Sequence, residues 1–439
     1  MKYTALLFFF LIKLVPSVSQ FEELSLPFEQ YRLPNGLEVV LQPDPQVKEV
    51  SVEFWLRDGI ALDQPDAFGM AHFFEHVLPF EPRDSVTSLQ FKNWYSNSNA
   101  QVKKDYSRFY LEFQPAGLEL GLKVASGRFS IGAKGIDSAR VEYQRERVLA
   151  EIGRAAKNPT WSAPGGMAID QGTFGTDHPY GHNGYGTIAF NEQFSLEDFR
   201  GRYEEVVYAN NTILFVVGNF QVKEAKLLIE QYFSKIPQKT SKNIKMPRPR
   251  QRAQQLTMQA PSPEEEDNTL ILSWAIPAWS HKHYNTLDLA IPILNNRMTQ
   301  KKDWPLSLHK IEAQIEGYKS AGKFYIRADF KNKGDSLLIR SQILQEMEQF
   351  SKETPSVSEL EEAQQQVIDQ LKEKQERLGF QASRTELLGE SLLFTKDPNY
   401  YFLKLEQQQN IAPNTIRKVF KKHFQEAPFS ILFLQNKNP

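Results

Sequence analysis

Cysteine is absent from the sequence, and its absence excludes several classes of protein. Without thiols the chain has no disulfide scaffold, no cysteine-ligated zinc ribbon, no iron–sulfur cluster and no thiol nucleophile. Any metal ion that the protein binds must therefore be held by imidazole and carboxylate groups.

The sequence also lacks an excess of basic charge. Its 439 residues include 52 basic and 53 acidic side chains, which gives a formal net charge of -1. Nucleic-acid-binding domains usually carry a basic patch, so the sequence predicts no nucleic-acid partner. With 41% hydrophobic residues, the composition is typical of a globular protein, and the length suggests about two or three domains.

An apolar run occurs near the N-terminus, and no other apolar run in the sequence has the length of a membrane span. The apolar segment Ala5–Ile12 is followed by the small residues Ser17, Val18 and Ser19, which predicts a signal peptide over residues 1–19. The alternative is a retained membrane anchor, but the run is shorter than the roughly 20 residues that a span needs. We therefore expect a periplasmic or secreted protein without a stable membrane span.

The rest of the sequence divides into two halves of similar organisation. Residues 31–57 predict a hairpin with one buried face, in which a turn at Asn35-Gly36 precedes two apolar segments. Ser195 and Asp198 predict a capping box at the start of a helix. Other periodic segments predict helices near 67–78, 117–128, 137–157, 221–234, 283–296, 335–350 and 358–377, and strands near 107–113, 213–217, 270–276, 311–330 and 430–434.

A basic, proline-containing segment followed by an acidic run predicts an inter-domain linker at residues 241–268. We therefore predict an N-terminal domain at 20–240 and a C-terminal domain at 269–439. The second domain repeats the order of strands and helices in the first, as an internal duplication would.

One motif carries the chemistry. His72 and His76 are four residues apart in a predicted helix, so both imidazoles lie on one face and are placed to bind one metal ion. Glu75 lies on nearly the same face, within reach of a water molecule on that ion. The His-x-x-Glu-His order is the inverted zinc-hydrolase signature. The alternative interpretation is a pair of packed histidines beside a surface glutamate.

Two imidazoles do not complete a catalytic zinc site, which usually has three protein ligands and one open position. We expect the third ligand to be a carboxylate from a neighbouring element. The predicted helix at 137–157 offers Glu142, Glu146 and Glu151, and the residues alone do not select among them.

These motifs resemble those of the pitrilysin-type zinc peptidases, the family of mitochondrial processing peptidase, insulin-degrading enzyme and short bacterial two-domain proteins. Gly69-Met70-Ala71 before His72 resembles the start of the family's zinc motif. A second, glutamate-bearing helix of the family is similar to the segment from Gln144 to Glu151, in which Glu151 follows His76 by 75 residues. Further resemblances lie in Leu33-Pro34-Asn35-Gly36-Leu37, in Asn99-Ala100 with Asp105 and Ser107, in His178-Pro179-Tyr180-Gly181 and in the segment Tyr208–Phe220.

The resemblance implies an α+β fold of two similar domains, each a mostly antiparallel sheet with helices packed on it, as in mitochondrial processing peptidase. It implies a metalloendopeptidase that acts on peptides or unfolded segments. Zn²⁺ is the implied cofactor, with His72, His76 and Glu151 as its ligands in the N-terminal domain. Glu75 would be the general base that activates a zinc-bound water.

The resemblance also places Asn99 and Ala100 on an exposed strand beside the active site. A substrate would bind there as an added β-strand, so that its backbone is recognised whatever its side chains. The alternative for these two residues is an ordinary sheet edge without a substrate.

The sequence departs from the family pattern at two places. Gln144 replaces an additional glutamate of the family's second helix that would help to tune the zinc site. An Arg and a Tyr, which stabilise the oxyanion in active single-chain members, are replaced by His309 and Glu316, and Tyr318 is off the spacing. We therefore predict a heterodimer with a related subunit that lacks the zinc motif and supplies Arg and Tyr, or else a homodimer. The alternative is a non-catalytic binding or assembly subunit.

The remaining histidines receive structural interpretations. His178 and His182 are also four residues apart, but Pro179 and Gly181 between them disfavour a helix, so we do not assign a second metal site there. His281, His283, His309 and His423 are interpreted as surface or structural residues.

Overall fold

The structure is a computed structural model that describes residues 24–64, 67–78, 92–155, 163–182, 184–240, 246–251, 253–259 and 267–435. The predicted signal peptide at 1–19 lies outside these residues. Within them, no helix has the length and the apolar character that a membrane crossing requires.

The first half of the chain forms a six-stranded sheet. Its strands are β1 (Glu29–Arg32), β2 (Glu38–Pro43), β3 (Val50–Leu56), β4 (Tyr95–Val102), β5 (Ser107–Phe113) and β6 (Thr212–Gly218). Their order is β1-β2-β6-β3-β5-β4, so β4 lies at one end of the sheet. β2 and β6 are parallel, and the other neighbours are antiparallel.

The first half contains the helices α1 (Met70–Val77), α2 (Leu118–Ser130), α3 (Ser138–Ala155), α4 (Ala163–Phe174), α5 (Ile188–Gln193), α6 (Leu196–Val206) and α7 (Val222–Phe233). All of them except α4 contribute to the apolar core on one face of this sheet. α4 instead packs on the sheet of the second half, where Ile169 clusters with Ile271 and Leu432. The predicted capping box is confirmed, because the Ser195 side chain accepts the Asp198 N–H and the Asp198 carboxylate accepts the Ser195 N–H.

The hairpin predicted at residues 31–57 is wrong in its pairing. The turn at Asn35-Gly36 joins β1 to β2, and β6 lies between β2 and β3. All of β3 is buried rather than one face of it. The reason is that β6, which is distant in sequence, supplies the neighbouring strand, and helices cover both faces of the sheet.

The second half forms a five-stranded sheet that repeats the topology of the first. Its strands are β7 (Gln254–Gln259), β8 (Asn268–Ile276), β9 (Leu308–Gly317), β10 (Gly322–Phe330) and β11 (Ser430–Gln435). The order β7-β11-β8-β10-β9 reproduces β2-β6-β3-β5-β4. The parallel pair β7 and β11 corresponds to β2 and β6. The predicted fold class, two mostly antiparallel sheets with helices packed on them, is confirmed.

Part of the range predicted as a linker belongs to this sheet. β7 lies inside residues 241–268 and pairs with β11 along its whole length. The composition of residues 241–268 did not reveal β7, because β7 pairs with β11, which is at the other end of the second half in sequence. The domain boundaries themselves stay a prediction.

The helices of the second half cover both sheets. They are α8 (Lys282–Gln300), α9 (Ser336–Lys352), α10 (Val357–Glu376), α11 (Arg384–Thr395), α12 (Tyr400–Gln409) and α13 (Pro413–Phe424). α8, α9 and α13 pack on the second sheet. α11 and α12 instead cover the second face of the first sheet, where Leu388 and Leu392 contribute to one cluster with Trp55 and Phe215.

A buried charge network also joins the two halves. Asp170 on α4 lies between two lysines, with Lys104 Nζ 2.7 Å from one carboxylate oxygen and Lys323 Nζ 2.8 Å from the other. Lys104 belongs to the β4–β5 turn and Lys323 to β10. Burial alone would raise the pKa of Asp170, but the two ammonium groups lower it, so the carboxylate stays ionised.

We predict that Asp170→Asn lowers the free energy of unfolding by about 3–5 kcal/mol, because it removes the carboxylate that two buried ammonium groups share and leaves Lys323 with Glu316 as its remaining ion-pair partner. Urea unfolding followed by circular dichroism measures the change. Asp303→Asn is the control, since Asp303 is 70% exposed beside Lys301 and its replacement should change stability by less than about 0.5 kcal/mol. Equal effects of the two substitutions would contradict a role for the network in joining the halves.

Candidate metal centre

The His-x-x-Glu-His motif lies on α1, as predicted. Met70, Phe73, Phe74 and Val77 are buried on the face of the helix that packs into the core. The two histidines lie on the other face and are largely enclosed, with side-chain exposures of 13% for His72 and 15% for His76. The apolar spacing therefore fixes the rotation of the helix and, with it, the direction of both imidazoles.

Glu151 of α3 meets both imidazoles. Its Oε2 atom lies 3.5 Å from His72 Nε2 and 3.3 Å from His76 Nε2. Around one zinc ion, tetrahedral ligand atoms at about 2.0–2.2 Å lie roughly 3.3–3.6 Å apart. The three side chains therefore fit a zinc ion in their chemistry, and the distances from Glu151 to both imidazoles match zinc ligation. Among the described residues they are the one cluster whose ligand atoms all lie within 4.8 Å of one another.

The structure selects among the three glutamates that the sequence left open. Glu142 and Glu146 are exposed, and Glu142 pairs with Arg145 at 3.0 Å. Glu151 alone of the three faces the histidines. Hydrogen bonds from His72 and His76 lower the pKa of Glu151 well below its usual range, so its carboxylate is ionised at neutral pH.

Glu75 lies beside this cluster without belonging to it. Its carboxylate is half-buried and accepts the backbone N–H of Val102, at the end of β4. Burial raises the pKa of Glu75, while the neighbouring histidines oppose the shift. Within the motif, the two imidazoles face Glu151, whereas the carboxyl group of Glu75 faces the end of the edge strand β4.

The N-terminus of α1 is held by a buried carboxylate that the sequence analysis missed. Asp63 accepts the N–H groups of Gly69 and Ala71, each at 3.0 Å. Arg202 on α6 lies 3.3 Å from Asp63 and 2.6 Å from Asp58. Burial raises the pKa of Asp63 to about 7, against the opposing charge of Arg202.

The C-terminus of α1 is held from α3. The Arg140 guanidinium donates to the backbone carbonyls of His76 at 3.3 Å and Val77 at 3.4 Å. A cation at the last turn satisfies carbonyls that lack helical partners. Because Arg140 and Glu151 are on the same helix, one element both fixes the end of α1 and presents a carboxylate to its histidines.

A tight backbone contact positions an aromatic ring against His72. Gly69 has φ 99°, and a Cβ atom at this position would lie 2.7 Å from the Tyr185 carbonyl oxygen. This close approach requires glycine. The Tyr185 ring packs edge-on against His72, with 4.9 Å between ring centroids. His72 Nδ1 is buried, and no hydrogen-bond partner for it is found among the described residues.

The other predicted site residues surround this cluster. Gln144 lies on α3 and is 5% exposed, so an uncharged side chain is buried where the family carries a glutamate. Asn99 and Ala100 lie on the edge strand β4, where Asn99 is exposed and Ala100 is buried. Their placement on a sheet edge is as expected, and a role in substrate binding stays a prediction.

The residues that replace the family's Arg and Tyr have other partners. His309 is exposed on β9, and its Nε2 lies 3.0 Å from Asp267. Glu316 pairs with Lys323 at 3.2 Å and accepts the Tyr318 hydroxyl. These side chains belong to the surface and the inter-sheet charge network rather than to the cluster around Glu151.

His178 and His182 do not form a metal pair. His178 Nδ1 accepts the Tyr180 N–H at 3.0 Å, and its Nε2 lies 3.0 Å from the Pro247 carbonyl oxygen. The His182 ring stacks on Phe68 with 3.6 Å between centroids. Both rings have structural partners, in agreement with the interpretation from sequence.

Comparison with known proteins shows a similarity to one family. The family description "Peptidase M16 inactive domain" matches residues 193–367. This segment of the chain is therefore similar to the M16 peptidase family. The matched range does not include the motif on α1 or Glu151, so the word "inactive" in that description concerns a segment outside the candidate metal centre.

Curated relatives match part of this chain at low sequence identity. An uncharacterized zinc protease of Mycobacterium leprae is 27% identical over 205 residues, which are 46% of this chain and 45% of that protein. The mitochondrial-processing peptidase subunit beta of Blastocladiella emersonii is 22% identical over 221 residues, 48% of this chain and 45% of that protein. The match thus spans less than half the length of these relatives.

Solved structures share the fold along most of the chain. A protease from Helicobacter pylori superposes with a TM-score of 0.79 at 18% identity, covering 93% of this chain and 99% of that chain. The first half of the periplasmic protease PqqL from Escherichia coli gives a TM-score of 0.74 at 17% identity, covering 93% and 92%. The complete PqqL chain is covered to 48%.

We predict that Asp63→Ala weakens zinc binding about 10–100-fold, as loss of a group that orients a ligand does. The same substitution should lower the free energy of unfolding by about 2 kcal/mol or more, because it removes a helix cap and one partner of buried Arg202. Competition with a chromophoric chelator measures the zinc affinity. The control is Asp198→Ala, which removes an exposed cap of α6 and should leave zinc affinity unchanged. Equal zinc affinities in both variants would contradict this role of Asp63.

Proposed function

We propose that this chain is a zinc-dependent endopeptidase that hydrolyses peptides or unfolded segments. The observation that carries the proposal is the convergence of His72, His76 and Glu151, in which both imidazoles lie 3.3–3.5 Å from Glu151 and Glu75 lies beside them. The names of its relatives, several of which are zinc proteases, support the same reading.

The proposed mechanism assigns each group a task that fits its surroundings. When bound by the two histidines and Glu151, a zinc ion would polarise the scissile carbonyl and lower the pKa of a water molecule. Glu75 would accept a proton from that water and donate it to the leaving amine. A raised pKa suits both steps, because it makes the Glu75 carboxylate a stronger base.

The substrate would bind along β4. This strand is at one end of the sheet order, and its residue Val102 donates a hydrogen bond to Glu75. A peptide added to the outer edge of β4 would therefore run past Glu75 with its backbone in a fixed register. Asn99 and Ala100 would be the strand residues that face it, and recognition of the backbone suits substrates of varied sequence.

We infer that a second subunit completes the active site. The family's Arg and Tyr are replaced here by His309 and Glu316, which have partners of their own. The chain also corresponds in length to the first half of PqqL and to about half of the complete PqqL chain. A related subunit without the zinc motif would supply the missing donors in a heterodimer, and a homodimer is the other arrangement.

A periplasmic or secreted location fits this proposal. PqqL, one of the structural relatives, is described as a periplasmic protease. The predicted signal peptide at 1–19 supports export, and a chain without cysteine folds independently of disulfide chemistry.

A second candidate function is a non-catalytic binding or assembly subunit. The observation that favours it is the uncharged Gln144, which is buried where the family places a glutamate. Replacement of the family's Arg and Tyr points the same way. Under this reading the metal centre would be structural, and the protein would hold zinc without hydrolysing peptides.

We predict that Glu75→Gln reduces peptide hydrolysis by about 10²–10⁴-fold, because it removes the general base, while zinc content stays at one equivalent. Hydrolysis of an unstructured fluorogenic peptide by the co-purified complex gives the rate, and elemental analysis gives the zinc. Glu142→Gln, which changes an exposed carboxylate on α3, is the matched control and should retain full activity.

Two outcomes would contradict the endopeptidase. Full activity in Glu75→Gln would exclude Glu75 as the base. Stoichiometric zinc without hydrolysis in the wild-type chain, with and without its partner, would support the non-catalytic subunit instead.

A further inference from the structure

A cleft of about 520 Å³ lies at the junction of the two halves. The first half contributes the turn between β4 and β5, from Val102 to Tyr106. The second half contributes the end of β9 and side chains of α8, α10, α11 and α12. Protein sites for small molecules have volumes of about 300–1,000 Å³ and often lie between two parts of a fold. The cleft therefore has the volume and the position of a ligand site.

The cleft is separate from the candidate metal centre, because the two share no residue. Tyr106, Leu371 and Leu405 of the cleft belong to the apolar cluster that also contains Trp55, on one face of the first sheet. α1 packs into the core on the other face. Binding in the cleft can therefore be studied apart from the binding of zinc.

One wall of the cleft is aromatic. Trp279, Tyr284 and Phe394 line it, and the Trp279 ring packs edge-on against Phe394 with 5.6 Å between centroids. Gly317, at the end of β9, lets the strand approach these rings closely. A Cβ atom at this position would lie 2.6 Å from Trp279 and 2.7 Å from Tyr284. The wall therefore favours a ligand with an apolar, ring-shaped body.

Five carboxyl groups also line the cleft. Each of them has an ion-pair or hydrogen-bond partner within 3.2 Å. The pairs are Asp105 with Tyr180, Asp288 with Lys404, Glu316 with Lys323, Glu386 with Arg108 and Glu390 with Tyr106. The cleft therefore presents no unpaired carboxylate to a cationic ligand.

Two lysines of the cleft lack such a partner. Lys103 in the β4–β5 turn and Lys374 on α10 are half-buried, and neither has a carboxylate within 4.0 Å in the described part of the chain. Burial and the charge of Glu386 raise the pKa of Glu390, whereas Lys374 and Lys103 oppose this shift. Both ammonium groups therefore lie near Glu390 without pairing with it, and both are available to an anion.

We propose that the cleft binds a small carboxylate with an aromatic body. Lys103 and Lys374 would donate charge-assisted hydrogen bonds to the carboxylate. Trp279 and Phe394 would pack against the aromatic group. A free aromatic acid and the C-terminal aromatic residue of a peptide share this chemistry. The bound ligand would contact both halves of the chain.

This proposal goes beyond the proposed peptidase and does not rest on it. The competing account is that Lys103 and Lys374 only balance the charge of Glu390 and that the cleft takes no ligand. Under that account, a carboxylate would bind no better than its neutral amide. The charge of the probe therefore separates the two accounts.

The test is isothermal titration calorimetry of the full chain with 3-phenylpropionate, its amide and 3-phenylpropylamine. We expect the carboxylate to bind at one site per chain and about tenfold or more tightly than the amide, because hydrogen bonds between charged groups are lost in the amide. The amine should bind most weakly. N-acetylphenylalanine should bind more tightly than 3-phenylpropionate if the ligand is a peptide C-terminus, and more weakly if it is a free acid.

Variants of the chain locate the site. The double variant Lys103→Met/Lys374→Met should weaken binding of 3-phenylpropionate about tenfold or more, and each single variant should weaken it in part. Their circular dichroism spectra check that they fold. His76→Ala should bind the probe with unchanged affinity, which excludes a carboxylate held at the metal centre. Lys352→Met, which removes an exposed lysine that pairs with Glu348 on α9, is the matched control.

Three results would overturn the proposal. One is a wild-type chain that binds none of the probes. Another is equal affinity for the carboxylate and the amide. The third is unchanged affinity for 3-phenylpropionate in both single variants and in the double variant.

Discussion

The contact of α1 with α3 is the constraint on which the candidate site depends. α1 has eight residues, and a helix this short is not stable alone in water. It is held by the Asp63 carboxylate at its first turn, by Arg140 at its last turn and by an apolar face in the core. These contacts bring both imidazoles to within 3.5 Å of Glu151, so the geometry of the candidate metal centre depends on packing of the first half and not on the motif alone.

The second half contributes to this arrangement without carrying the motif. Its sheet repeats five strands of the first in the same order and directions, which is the result expected of an internal duplication. Its helices α11 and α12 close the second face of the first sheet, and Lys323 reaches Asp170 in the shared charge network. The family segment described as inactive, residues 193–367, lies largely in the second half. The first half carries His72, His76 and Glu151, and the second half packs against its sheet.

The sequence predicted those features that depend on local pattern. Periodic spacing located α1, α3 and most strands to within a few residues, and the capping box at Ser195 is present as predicted. The resemblance selected Glu151 from three glutamates, and in the structure Glu151 lies beside the histidines whereas Glu142 and Glu146 are exposed. Each of these predictions rests on residues that are close in sequence or on a motif of known spacing.

Features that depend on distant contacts were not predictable. β6 is inserted between β2 and β3 from far along the chain, and β7 is paired inside the predicted linker. α4 lies in a segment whose glycine and proline content disfavours a helix, and α11–α13 were not predicted. Asp63 gave no signal, since an aspartate in a polar segment resembles any turn residue until Arg202 and the start of α1 are seen beside it.

The proposed peptidase requires that two imidazoles and one carboxylate of this chain hold a zinc ion. Zinc K-edge X-ray absorption of the purified full chain measures this ligation. We predict one zinc per chain, with two imidazoles and further oxygen ligands at about 2.0–2.2 Å, and loss of one imidazole in His76→Ala. A chain without stoichiometric zinc, or a zinc ion with fewer than two imidazole ligands in the wild type, would exclude the proposed metal centre.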